Sequence, residues 1–195
     1  TVFLTGVTGS LGKILFAKLI EACPDIAKFY LLIRGRKNLS GQARFEKEIL
    51  SLDVFEQLLR RFPAMKDRLV VIEGDISFPK LGISNETQAM IQEDTTVVLH
   101  CAATTKFEET LKLAIQLNTM GAKRMLEVSK GCKKLLSHVH VSTAYVNCVR
   151  QDGTTEIREK IYPFASNPYD LLERIGSLTT EQAHDQTHKV SPIPE

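Results

Sequence analysis

Three glycines set three apart, Gly6, Gly9 and Gly12, end a short β-branched and aromatic run and open an apolar stretch. A turn of this kind can receive a pyrophosphate. Gly6 permits the sharp bend, Gly9 lets the backbone approach the phosphates, and Gly12 lets a helix pack closely on the sheet. The unpaired amides of that helix's first turn then face the anion. Glycine-rich turns also end strands for structural reasons alone, so position carries the reading: a strand precedes this turn, a helix over Leu11–Cys23 follows it, and a second strand covers Phe29–Ile33. A kinase-type phosphate loop does not fit, because Lys13 is followed by Ile14 and not by Ser or Thr.

Just past the second strand stand Arg34, Gly35, Arg36 and Lys37, where an NAD-binding unit carries an acid for the ribose 2′-hydroxyl. Two guanidiniums and an ammonium suit a 2′-phosphate instead, so the expected cofactor is NADPH rather than NADH. A solvated basic turn would not account for the missing acid. Asp75, after a third strand over Leu69–Ile72, can accept from an adenine amine with Ile76 beside the ring, or it can cap a turn. Ala102 and Ala103, past a fourth strand over Thr96–His100, leave room for a ligand at the carboxyl end of the sheet. Ser142 and Thr143 place hydroxyls after a fifth strand over His138–Val141, toward the nicotinamide end of such a cleft. His138 and His140 share one side of that strand with no third ligand in view, which points to packing or hydrogen bonding and not to a metal.

The elements that must hold these residues alternate strand and helix, which with right-handed crossovers implies an α/β doubly wound parallel sheet, a Rossmann fold incomplete at its C-terminal side. Leu11, Ile14, Leu15, Ala17, Leu19, Ile20 and Ala22 give the first helix a broad apolar face. Gly41–Arg61 reads as one or two surface helices, and Asn85–Gln92 as a short one. Glu109–Lys130 is a longer helix with Leu113, Leu117, Met120, Ala122, Leu126 and Val128 toward the core. Asn118 and Gly121 are poor mid-helix residues and predict a kink or a polar contact there. Residues 1–195 are expected to form one partial NADP-binding domain, with 151–195 rich in loops, two short helices in Tyr169–Ile175 and Leu178–His188, and no substrate domain.

A composition of 43% hydrophobic and 25% charged residues suits one sizeable soluble core. The net charge of +2 gives no electrostatic case for nucleic acid, and the lysines late in the 109–130 helix meet its dipole as a solvated face. Four scattered cysteines without a C-x-x-C pair suit reduced thiols and a cytosol-facing setting. No apolar run reaches membrane-span length. The sequence lacks an initiator Met and begins inside a strand, so it reads as a piece of a longer parent.

Several blocks together resemble one family: Phe3–Gly12, Leu31–Arg36, Glu73–Ile76, His100–Phe107, Leu117–Asn118 and His140–Asn147. They look like the extended short-chain dehydrogenase/reductases, and within them the alcohol-forming fatty acyl-CoA reductases with a male-sterility-type domain. The resemblance implies NADPH-dependent reduction of a long-chain acyl-CoA through an aldehyde to a fatty alcohol. It assigns Gly6, Thr8, Gly9, Ser10, Leu11 and Gly12 to the phosphate turn, Arg34 and Arg36 to the 2′-phosphate, and Asp75 and Ile76 to adenine. It also assigns Ala102 and Ala103 to the cofactor wall, Asn118 to the cofactor-binding set, and Thr143, with Ser142 beside it, to catalysis. Such a parent can lie on the endoplasmic reticulum or a peroxisome. The family's Tyr-x-x-x-Lys is absent: Tyr30, Tyr145, Tyr162 and Tyr169 are followed four residues on by Arg34, Val149, Ser166 and Glu173. The isolated chain is therefore expected to be inactive. The other readings are a thioester-reductase domain of a carboxylic-acid or peptide synthetase, and a silent NADP-binding module.

Overall fold

A computed structural model describes residues 1–106, 108–147, 156–162, 167–183 and 185. The chain divides into two units, one of Thr1–Thr104 with Leu117–Val141 and one of Thr105–Gln116 with Ser142–Glu195.

The first unit is built on five parallel strands: β1 (Val2–Thr5), β2 (Phe29–Ile33), β3 (Leu69–Glu73), β4 (Val97–His100) and β5 (Ser137–His140), in the order β3-β2-β1-β4-β5. β1 to β4 are strands because they are short, rich in Val, Ile, Leu and aromatics and mostly apolar at consecutive positions, whereas β5, Ser-His-Val-His, is a largely exposed edge strand. Alternation then sorts the side chains. Val2, Leu4, Phe29, Leu31 and Ile33 enter one core with Phe16, Ile20, Phe45, Ile49, Phe55 and Leu59. Phe3, Tyr30 and Leu32 enter another with Ile76, Ile91, Leu117, Met125 and Val128. Two cores on one sheet are the doubly wound arrangement that the alternating sequence implied.

Helix α1 (Ser10–Ala22) packs on the first core through Gly12, Phe16 and Ile20, one row at four-residue spacing. Phe16 is the hub of that layer, edge-on to Phe29 at 5.4 Å and stacked on Phe55 at 5.3 Å. The apolar face is narrower than the sequence implied, since Leu11 and Ile14 are 54% and 68% exposed. Ile14 instead borders a shallow groove with Leu52, Val54 and Leu58. The expected pair of helices over Gly41–Arg61 is α2 (Gly41–Phe45), a π turn at Glu46–Leu50, and α3 (Asp53–Arg61). Helix α4 (Asn85–Asp94) covers the second core, its start capped by Ser84, which accepts from Thr87 N.

The helix expected over Glu109–Lys130 is α5 (Leu111–Ala114), a π turn at Ile115–Thr119, and α6 (Met120–Lys130). The irregularity falls on Asn118, as its poor helix propensity predicted. On α6 the buried row is Gly121, Met125, Val128 and Ser129, whereas Leu126, expected inside, is 43% exposed. In the second unit Leu113 is likewise 41% exposed, and α7 (Pro168–Ser177) starts on an Asn167 cap that accepts from Tyr169 N. Lys112 donates to the carbonyls of Gly176 and Leu178. The predicted helix over Leu178–His188 falls partly outside the described residues. Among the described residues no helix is long and apolar enough to cross a membrane.

Candidate functional site

β1 has β2 on one side and β4 on the other, so its carboxyl end is where the strand order reverses, the place at which open parallel sheets leave a crevice. The glycine turn sits there. Gly6 has φ +78°, and a Cβ on it would lie 2.7 Å from Ala102 N and from the Cys101 carbonyl carbon. The turn leaving β1 therefore touches the loop leaving β4 through main chain alone. A Cβ on Gly12 would lie 2.1 Å from Gly6 O, and one on Gly9 3.3 Å from the same oxygen. Gly9 N donates to Gly6 O at 2.9 Å, closing the turn, and Gly9 is the N-cap of α1 with no side chain over the helix start. The first bond into the helix is Lys13 N to Gly9 O, which leaves the amides of Ser10, Leu11 and Gly12 directed out of the helix end. Ser10 and Leu11 are exposed and Thr8 half-buried. A small anion suits this cradle, since the outward amides and the helix dipole favour it, and the three glycines let main chain close on main chain around the turn.

Thr5, the last residue of β1, and His100, the last of β4, are both fully buried and lie across from one another in register. Thr5 Oγ1 lies 2.7 Å from His100 Nδ1 and accepts from Ala102 N at 3.2 Å. The other ring nitrogen, Nε2, is buried without a hydrogen-bond partner among the described residues. Burial, and then the neighbouring His140 and His138, push the His100 pKa down to about 4. The His140 ring stacks on it at 5.0 Å. His138 Nδ1 pairs with Ser129 Oγ at 2.8 Å, which itself donates to Met125 O, and burial lowers its pKa as well. Among the described residues no group of three or more His, Cys, Asp or Glu is placed to hold a metal ion.

The cofactor wall expected at Ala102 and Ala103 is the start of this loop, Ala102 half-buried and Ala103 exposed. Its far end is fixed by Asn118, whose Oδ1 accepts from Thr104 N at 2.8 Å and whose Nδ2 donates to Thr104 O at 3.0 Å. Both ends of that amide are thus used on one residue's peptide groups, which is the polar contact expected at this position.

At the other side of β1, Arg34, Arg36 and Lys37 lie on an exposed loop, residues 34–40, between β2 and α2. Arg36 and Leu39 exchange backbone bonds at 2.9 and 3.0 Å across a turn in which Lys37 has φ +53°. Arg34, its side chain exposed, faces the half-buried Asp75, with Nη1 3.7 Å from Oδ2. Asp75 Oδ1 accepts from Ser77 N at 2.8 Å, so the turn-forming role open to it in the sequence is realised. The Ile76 side chain is buried in the second core, where a Cβ on Gly121 would lie 3.0 Å from it. Sequence reasoning missed Arg44. Its guanidinium, 7% exposed, is held bidentately by Glu48 at 2.8 Å and donates to Arg34 O at 2.8 Å, bracing the basic loop from α2. The only signal was an Arg four residues before a Glu on a helix.

Ser142 and Thr143 belong to the second unit and are exposed. There Thr143 Oγ1 accepts from Tyr145 N at 3.1 Å, which leaves the hydroxyl proton free to donate.

A parallel sheet of this order with a glycine turn at its reversal point defines a doubly wound nucleotide-binding domain. The chain belongs to the male sterility protein family, a family of NAD-binding domains whose model matches residues 4–191. It is 35% identical to Fatty acyl-CoA reductase 1 of Gallus gallus and 34% to that of Homo sapiens, each along 97% of this chain and 36% of the relative. It is 38% identical to Fatty acyl-CoA reductase wat of Drosophila melanogaster over 91% of this chain and 34% of the relative. The chain thus spans about a third of the length of the curated relatives it matches. Among solved structures, the terminal R domain of the myxalamid biosynthetic pathway aligns with a TM-score of 0.58 at 26% identity, over 73% of this chain and 34% of that one. The reductase domain of a nonribosomal peptide synthetase from Mycobacterium tuberculosis aligns equally well at 29% identity, over 73% and 33%.

Proposed function

We propose that this chain is the cofactor-binding part of an NADPH-dependent fatty acyl-CoA reductase, whose complete reaction takes a long-chain acyl-CoA thioester through an aldehyde to a fatty alcohol. The observation that carries the reading is the likeness to fatty acyl-CoA reductases along 97% of the chain. The peptide-synthetase reductase domains support it less, matching less of the chain at lower identity.

In this reading the amides of Ser10, Leu11 and Gly12 hold the pyrophosphate, with Thr8 beside them and the three glycines letting the turn close tightly beneath it. Arg34 and Arg36 grip the 2′-phosphate, and the first of them is steered by Asp75. Asp75 accepts from the adenine amine, while Ile76, seated in the core, fixes the depth at which Asp75 stands. Ala102 and Ala103 form a wall without bulk, and Asn118 keeps that wall's end at Thr104 in place. When bound, NADPH supplies a hydride for the thioester carbonyl. Thr143 donates its free hydroxyl proton in a hydrogen bond to the carbonyl oxygen as negative charge gathers there, with Ser142 adjacent.

The test is a pair of dinucleotide titrations on the full-length protein, followed by nicotinamide fluorescence, alongside consumption of NADPH with a long-chain acyl-CoA. Arg34→Ala is expected to weaken NADPH at least about tenfold, the loss of one charge-assisted contact, and to spare NADH. Equal losses for both dinucleotides refute the 2′-phosphate assignment, and failure to consume NADPH with any acyl-CoA refutes the activity.

A further inference from the structure

We propose that Glu73 is a positioning residue that holds the basic loop in the shape needed to tell a 2′-phosphorylated dinucleotide from an unphosphorylated one. The inference deepens the cofactor reading above and rests on it.

Glu73 ends β3 in register with Ile33, which ends β2. From there its carboxylate reaches the basic loop and meets it at both ends. Oε2 accepts from Gly41 N at 2.7 Å, the first amide of α2. Oε1 lies so close to the loop's start that a Cβ on Gly35 would be 2.9 Å from it. Each of these glycines has a steric reason: a side chain at 41 would strike Ile33 O at 2.6 Å, and one at 35 would strike the carboxylate itself. One side chain thus closes the base of residues 34–40.

Those residues are exposed, so no apolar packing fixes the loop. Its shape depends on polar ties: the Arg36–Leu39 exchange within it, Arg44 on the Arg34 carbonyl, and Glu73 across its base. The helix does not depend on Glu73 in the same way, because Ser40 independently accepts from Ala43 N at 3.1 Å. Removing the carboxylate therefore frees the loop's span without removing the N-cap of α2.

A negative charge beside a phosphate site is a cost that needs a reason. Its benefit is the bond to a peptide N–H at the positive end of a helix. Charge and acceptor can be separated, since glutamine keeps an acceptor oxygen and drops the charge. Selectivity is a difference of two affinities, so a change confined to the grip on the 2′-phosphate shows in one dinucleotide only.

The experiment measures dissociation constants for NADPH and NADH in the full-length wild type and in Arg34→Ala, Glu73→Ala, Glu73→Gln and Gly35→Ala, with thermal melts alongside. Glu73→Ala is expected to weaken NADPH about tenfold, in line with losing a hydrogen bond to a charged group, and to leave NADH unchanged. Glu73→Gln is expected to restore NADPH binding to the wild-type level or better. Gly35→Ala should copy Glu73→Ala, because its methyl displaces the flexible carboxylate end and not the backbone; should Glu73→Ala fail to fold, this variant carries the same expectation. If Glu73→Ala and Gly35→Ala leave the NADPH-to-NADH ratio at the wild-type value while Arg34→Ala lowers it, the positioning role is wrong and the cofactor reading survives. A wild type with no preference for NADPH overturns both.

Discussion

Substituting alanine for Gly12 tests whether the approach of α1 to the glycine turn is what makes the anion cradle. The added methyl would sit 2.1 Å from Gly6 O, 2.6 Å from Gly6 C and 3.0 Å from Val7 Cα. Ordinary contact begins near 3.4 Å, so the shortfall at the oxygen is about 1.3 Å, and both sides of the clash are main chain. Gly6 cannot yield, because its own position is fixed against Ala102 N and Cys101. The start of α1 must move instead, carrying the amides of Ser10, Leu11 and Gly12 with it. A bond near 2.9 Å stretched by that much no longer counts as a hydrogen bond. Losing two charge-assisted contacts lowers dinucleotide affinity by about two orders of magnitude or more. Moving the helix also displaces its Phe16 and Ile20 in the first core and adds about 1–3 kcal/mol of repacking cost, seen as a lower melting temperature. The assays are fluorescence titration with NADPH and a thermal melt of the same sample. Wild-type affinity in a folded Gly12→Ala protein would refute the reasoning, since the cradle would then not depend on this contact.

Phe16→Ala removes the hub of the first core, where Phe16 is fully buried against Phe29, Phe45 and Phe55. A loss of about 3–5 kcal/mol in denaturant unfolding is expected, and less than 1 kcal/mol would show the layer can collapse onto the gap. His100 makes stability depend on pH. Its folded pKa of about 4 lies below the unfolded value near 6.5, so the unfolded chain binds the extra proton first. The stabilisation is fully present above pH 6.5, falls away between pH 6.5 and 4, and amounts to about 3 kcal/mol in all. Unfolding free energies of wild type and His100→Asn across that window should differ in slope, and parallel curves would exclude His100 as the source.

What the sequence made legible was whatever depends on neighbours along the chain. The bounds of β2 and the glycine turn follow from local composition, as does the break at Asn118, where a short polar side chain interrupts a helical run. Side chains that act across the fold were hidden. Thr5 and His100 are 95 positions apart and bond only because β1 and β4 are adjacent and in register. Glu73 reads as one residue of a Glu-Gly-Asp-Ile block, and nothing local says that its carboxylate crosses to Gly41. The misjudged exposure of Leu11 and Ile14 has a similar origin. Apolar character marks a broad stripe, but the row that packs is chosen by where Gly12 lets the helix approach.

The contact between Gly6 and the Cys101–Ala102 peptide involves main-chain atoms on both sides. Substitutions at 102 and 103 that preserve the backbone path leave that contact intact, and the Ala103 side chain is exposed. Such an arrangement separates two kinds of evolutionary change. Side chains lining the crevice can change while the main-chain contact beneath the glycine turn stays as it was.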